Sequence, residues 1–192
     1  MKAVVVFSLL ACFGCRTENA QKRIEKGFER LSRCIDRGTG EAIFEALDQE
    51  SQWSVHTIYK LTKEMSRIVE SSYPPDRREE ALGMWQPFRD APTPEALFGR
   101  LLGTWGGVAG IRTGFAVIRS AQVARQGASV TTKAGRAYDF RMGPDGRWGL
   151  AEFHDRLEKL KLMAQDHLAM IRDNALAFRK ASEGEGDHAA SP

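Results

Sequence analysis

Apolar residues recur at helical spacing through most of the first hundred positions, alternate over the next fifty, and return to helical spacing near the end. Ile24, Phe28, Leu31 and Ile35 are three or four positions apart and predict a helix over 21–37. Gly38 and Gly40 break it, the first as a C-cap. Ile43, Phe44 and Leu47 mark a short helix over 42–47. Val55, Ile58, Tyr59, Leu61, Met65, Ile68 and Val69 form the stripe of a long one over 51–72. Tyr73-Pro74-Pro75 ends that helix, because proline has no N–H and forces its predecessor out of the helical region. Asp76 with Glu79 reads as a capping pair opening another helix, with Leu82 and Trp85 inward and Pro87 at its end. Thr93-Pro94-Glu95 is a further start, followed by Leu97, Phe98, Leu101 and Leu102.

Five glycines at 103, 106, 107, 110 and 114 then predict an irregular link or a bulged strand. Their spacing matches neither a phosphate loop nor a dinucleotide fingerprint. Strand-like pieces follow at 118–125, 129–133, 136–142 and 147–153, separated by Gln126-Gly127, Ala134-Gly135 and Gly143-Pro144-Asp145-Gly146. That rhythm is a β-meander. Tyr138, Phe140 and Met142 alternate with Asp139 and Arg141, so one face is buried. Leu157, Leu160, Met163, Ala164, Leu168, Ile171, Ala175 and Phe178 make a final amphipathic helix over 155–181, expected to cover the outer face of the sheet. Segment 182–192 is small, polar and expected to be a disordered tail. The fold class is therefore α+β: N-terminal helices packed on a curved antiparallel β-meander, plus a C-terminal amphipathic helix.

The first fifteen residues, MKAVVVFSLLACFGC, follow a different logic. One cation precedes a short apolar run, and small residues abut a cysteine. The run is far shorter than the roughly 18–20 apolar residues that span a bilayer, so a cleaved export signal is the expectation. The pattern resembles a bacterial lipoprotein signal, in which a cysteine thiolate accepts a lipid and everything before it is removed. Leu9-Leu10-Ala11-Cys12 matches the lipobox pattern, whereas Cys15 gives the more usual leader length and has Gly14 before it. Both stay candidates for lipid attachment. The divisions that follow are 1–15 as signal and lipobox, 16–20 as a tether, 21–181 as one α+β domain and 182–192 as tail. The localisation implied is the cell envelope, anchored to the inner or outer membrane through the N-terminal lipid, with no further membrane-binding surface needed.

Charge adds little at this level. The 28 Lys+Arg and 25 Asp+Glu give a net charge of +3, lowered by one when the leader is removed with Lys2. That balance argues against nucleic acid, which calls for a concentrated basic surface. Outside the leader only Cys34 remains. On a helical stripe it reads as a small buried hydrophobe, the alternative being a disulfide to Cys15. His56, His154, His167 and His188 show no metal-ligand spacing, so neither a metal nor another cofactor is expected.

Helices followed by a meander resemble the nuclear-transport-factor-2-like superfamily, the ketosteroid-isomerase-like cone. The segments carrying the likeness are GTGEAIFEALD at 38–48, SVTTKAGRAYDFRM at 129–142 and RWGL at 147–150. A longer helical part and an extra C-terminal helix depart from a minimal cone. The resemblance implies an isomerase or dehydratase, a small-ligand binder, a scaffold or an assembly domain, since fold does not fix function. An isomerase-type site needs a carboxylate base facing a buried acid inside an apolar pocket. Tyr59, Tyr138, Asp139, Glu152 and His154 are the residues available for it. The four tryptophans, Trp53, Trp85, Trp105 and Trp148, are mostly core by default. Tyr59, Trp105, Tyr138 and Trp148 are the candidate lining of an apolar pocket, with Trp105 at its mouth. The reading is a non-enzymatic, lipid-anchored module that binds a small apolar ligand or an envelope protein. The alternative is an isomerase- or dehydratase-like enzyme acting on a small apolar substrate, with Glu152 or Asp139 as base.

Overall fold

A computed structural model describes the backbone of residues 11–188 and the side chains of residues 21–181. The leader residues 1–10 and the side chains of Cys12 and Cys15 lie outside the described part. Seven α-helices appear in it: α1 (Ala11–Arg37), α2 (Gly40–Phe44), α3 (Gln49–Ser72), α4 (Arg78–Leu82), α5 (Pro94–Thr104), α6 (Gly107–Arg112) and α7 (His154–His188). Four strands lie between the last two: β1 (Ile118–Val123), β2 (Gly127–Thr132), β3 (Ala137–Met142) and β4 (Trp148–Leu150). The strands form one antiparallel sheet in the order β1-β2-β3-β4, the meander expected from the spacing of turn glycines.

The helix stops have local causes. Gly38, at φ 75°, carries the chain out of α1 in the left-handed conformation that favours glycine. Thr39 caps α2 by accepting from Ala42 N at 3.2 Å, and Thr93 caps α5 by accepting from Ala96 N at 3.2 Å. Asp48 caps α3, its carboxylate accepting from Ser51 N at 2.8 Å and Ser51 Oγ at 3.0 Å. The expected Asp76–Glu79 capping pair is not formed. The segment is instead a 3-10 turn at Pro75–Arg77 running into α4, whose N-cap Arg77 makes no side-chain cap bond. Pro87 does not close a helix but sits inside a second 3-10 turn, Gly83–Phe88. The glycine-rich stretch is part helix, since the end of α5 and all of α6 lie in it. α1 is helical from Ala11, so its backbone includes the 16–20 segment expected as a tether, and α7 runs on into the expected tail.

One face of the sheet is closed by α1, which lies against β1 and β4. Phe28 of α1 stacks on Phe115 with ring centroids 4.6 Å apart and meets Tyr138 and Phe140 of β3. Val130, Tyr138, Phe140, Trp148 and Leu150 are all buried on the sheet or at its end. The free edge of β4 is not left open. Asp48 N donates to Leu150 O at 3.0 Å and Leu150 N donates to Ala46 O at 2.7 Å, so segment 46–48 runs beside it as a parallel bridge.

The C-terminal helix does not cover the other face of the sheet. It packs along α3, and the contacts advance together: Ser54 with Glu158, Glu64 with Arg172, Tyr73 with Ile171 and Phe178. The two helices therefore run parallel. The physical reason is the surface each partner offers. Val55, Ile58, Met65 and Val69 give α3 an apolar stripe that Leu157, Ala164, Leu168, Ile171 and Ala175 complete. The outer sheet face offers Gln122, Ser129, Asp139 and Arg141, which are better left wet. Met163, expected on the buried stripe, is exposed on α7.

Candidate functional site

Three clefts join into a band around the N-terminal ends of α3 and α7. The first, about 210 Å³, lies among Arg30, Glu45, Asp48, Gln52, Arg147 and Trp148. A second of about 230 Å³ sits between the start of α3 and the turn at Gly143-Pro144, with Trp53 and Arg141 in its wall. A third, about 430 Å³, runs from Trp53 past Ser54 and Thr57 to His154, Glu158 and Lys161. A shallower hollow of about 720 Å³ follows the uncovered sheet face from Gln122 and Ser129 to Asp139, Arg141 and His154.

Trp53 stands at the centre of this band with 59 % of its surface exposed, unusual for the largest apolar side chain. The polar groups around it are bonded to one another. The Arg141 guanidinium donates to the Glu50 carboxylate and lies 3.2 Å from Nδ1 of His154, whose Nε2 is 3.9 Å from Glu50. On the other side Glu158 accepts from Ser54 Oγ and from Lys161 Nζ at 2.6 Å. Three chain segments remote in sequence thus meet here: the start of α3, the end of β3 and the start of α7. Glu50 and Asp155 lie in the first turns of the two helices, where a carboxylate offsets the exposed N–H dipoles.

The Lys161 ammonium, and then the Ser54 hydroxyl, hold the Glu158 carboxyl below its ordinary range. A carboxylate depressed in the folded state contributes stability above its unfolded value and loses it as pH falls through the folded one. Glu158→Gln should therefore be less stable than the wild type at pH 7. That difference should shrink as the pH falls below the ordinary glutamate value of 4.5, as read by urea denaturation at a series of pH values. A difference that stays constant with pH would remove the ionic contact.

The expected apolar pocket is not assembled from its four residues. Tyr138 is fully buried and its hydroxyl donates to Ile111 O at 2.8 Å, with burial raising its pKa above the usual tyrosine value. Trp148 is buried between α1 and the segment 46–48, borders the first cleft, and its indole N–H has no partner among the described residues. Trp105, half-buried, lines none of the four clefts above: it stacks on Phe153 at 5.7 Å and meets the edge of Phe98, with Arg156 over its ring. Tyr59 lies on the flank of α3, where its hydroxyl donates to Pro92 O at 2.9 Å. These rings fill core or pin loops, and their distances apart follow from the elements that carry them.

The acid–base candidates also separate. Asp139 faces solvent on the outer sheet face, opposite in phase to Tyr138. Glu152 pairs at 2.6 Å with Arg136, whose guanidinium also lies 5.0 Å from the Tyr138 ring centre. Neither carboxylate sits in an apolar pocket facing a buried acid, so the isomerase-type arrangement is not what these residues build. His154 does join a polar cluster, with Glu50 and Arg141 rather than with Glu152. His56 packs its ring edge against Phe44, and His167 bonds Ala81 O at 2.7 Å. No group of three or more His, Cys, Asp or Glu placed to hold a metal occurs among the described residues.

Cys34 is a free, buried thiol that accepts from Arg37 at 3.2 Å. The disulfide to Cys15 is ruled out within one chain. Both cysteines lie on the same continuous helix, about 28 Å apart along its axis at 1.5 Å per residue, far beyond the reach of a bridge. No helix among the described residues is long and apolar enough to cross a membrane.

No protein-family model, no curated protein and no solved structure matches this chain.

Proposed function

We propose that this protein is a non-enzymatic envelope module, held at a bacterial membrane by a lipid on Cys12 or Cys15, that engages an envelope protein through the surface centred on Trp53. The observation that carries the anchoring half is the 1–15 segment: one cation, a short apolar run and small residues before cysteine, leading directly into the first helix of the domain. Mass spectrometry of the mature N-terminus tests it. A diacylglycerol-modified cysteine at position 12 or 15 is the expected result, and an unmodified N-terminus or an intact leader on exported protein would overturn it.

The Trp53 surface supports a protein partner over a small apolar ligand. An exposed indole ringed by satisfied polar groups has the anatomy of an interface centre, where Trp and Arg carry much of the binding. Trp53→Ala should change folding stability by no more than about 0.5 kcal/mol, because the ring is mostly outside the core. A photo-crosslinking amino acid at position 53 should give a discrete envelope-protein adduct that is absent when the same group replaces Leu162 on the exposed side of α7. The same adducts at both positions, or none at 53, would remove the partner.

A further inference from the structure

The near-balance of charge over the whole chain conceals a strong local segregation. On α1, at about 100° per residue, Lys22, Arg23, Lys26, Arg30, Arg33 and Arg37 fall within a single arc of about 100°. The acids Glu25, Glu29 and Asp36 occupy the adjoining arc, and Ile24, Phe28, Leu31 and Ile35 face the core. Arg37 is held by Glu45 at 2.6 Å. Arg23, Lys26 and Arg33 are exposed and Arg30 is half-buried at the rim of the first cleft. None of these four makes an ion pair among the described residues, whereas other cations in the fold, such as Arg136, Arg141, Lys161 and Arg172, are neutralised by a carboxylate. Four uncompensated cations thus lie along about 15 Å of one helix face.

We propose that this stripe of α1 is a docking surface for the anionic headgroups of a phospholipid bilayer. Charge complementarity and position support that occupant. A cluster of Lys and Arg on an amphipathic helix beside an anchor attracts an anionic leaflet at close range. The stripe lies on the helix that begins at Ala11, so Lys22 is only about 10 Å along the axis from Cys15. With a lipid at one end and cations along one side, α1 lies flat on the bilayer and turns the Trp53 band to a fixed direction. The position argument rests on the anchoring proposed above; the charge argument does not.

The test separates the two. The full chain carrying Cys12→Ser and Cys15→Ser cannot be acylated, and its partition is compared between vesicles of phosphatidylglycerol with phosphatidylethanolamine and vesicles of phosphatidylcholine alone, by co-sedimentation in 0.1 M salt. The apolar leader is common to both arms and cancels in the ratio. The expected result is a preference for the anionic vesicles that falls at least tenfold in Arg23→Gln with Lys26→Gln, at about fivefold per cation. The preference should survive Arg23→Lys and vanish in 0.5 M salt. All these side chains are exposed, and circular dichroism checks that each variant is folded. An unchanged preference in the glutamine variant, equal partition into both vesicles, or tighter binding to duplex DNA than to the anionic vesicles would overturn the proposal. An unacylated N-terminus on the exported protein, by contrast, would overturn the anchor and leave this result standing.

Discussion

Gly149→Ala should cost about 3 kcal/mol of folding stability, the upper range for forcing atoms into a filled core. Gly149 lies in the middle of β4, where a Cβ would come 2.5 Å from Asp48 N and Cα and 2.6 Å from Leu47 O. All three are backbone atoms of the segment that bonds to β4, so no side-chain rotation relieves the clash. Relief requires moving 46–48 away, which breaks the bonds between Asp48 N and Leu150 O and between Leu150 N and Ala46 O. It also displaces the Asp48 cap from the start of α3. Gly103→Ala is the matched control. Gly103 is helical in α5 with nothing within 4 Å of the added carbon, and the change should stabilise by up to about 1 kcal/mol. Urea denaturation of the two variants should thus shift the midpoint in opposite directions. A shift of the same small size for both would mean that β4 and 46–48 are not packed backbone to backbone.

Tyr138→Ala is the second large effect, at about 3–5 kcal/mol. The ring is fully buried between Phe28 of α1, Phe115 of the link and the Arg136 guanidinium, so its removal leaves a cavity where three separate segments meet. Tyr138→Phe keeps the ring and loses only the hydrogen bond to Ile111 O, leaving that carbonyl unpaired, a loss of about 1–2 kcal/mol. The ordering of the two variants is the informative part. If both cost the same, the hydroxyl rather than the ring is what holds α6 to the sheet.

The elements that repeat a period over many residues were legible in the sequence. α1, α3 and α7 each bury the stripe expected of them with few exceptions, and the meander follows its turn glycines. Short elements were not legible, because a few residues carry no period. Segment 75–88 became two 3-10 turns around a five-residue helix, and α6 formed from residues of poor helix propensity. The partner of α7 was also hidden, since an amphipathic stripe says that a face is buried and not against what. The cluster of Glu50, Arg141, His154 and Glu158 is assembled across about a hundred residues, so no local spacing announced it. Two signals were present but averaged away. Asp48-x-x-Ser51 is a cap written in sequence, and the cations at 22, 23, 26, 30, 33 and 37 keep a helical period that a net charge cannot register.

The parallel pairing of α3 with α7 has a consequence for how the chain is made. The apolar side of α3 is complete early in synthesis, yet the residues that cover it lie about a hundred positions downstream, beyond the entire sheet. Until the last helix leaves the ribosome, this side of α3 lacks the cover that α7 gives it, and contacts so distant in sequence slow the closing of the core. The core along α3 therefore stays open while the whole of the sheet is translated. The fold closes only when its final helix arrives.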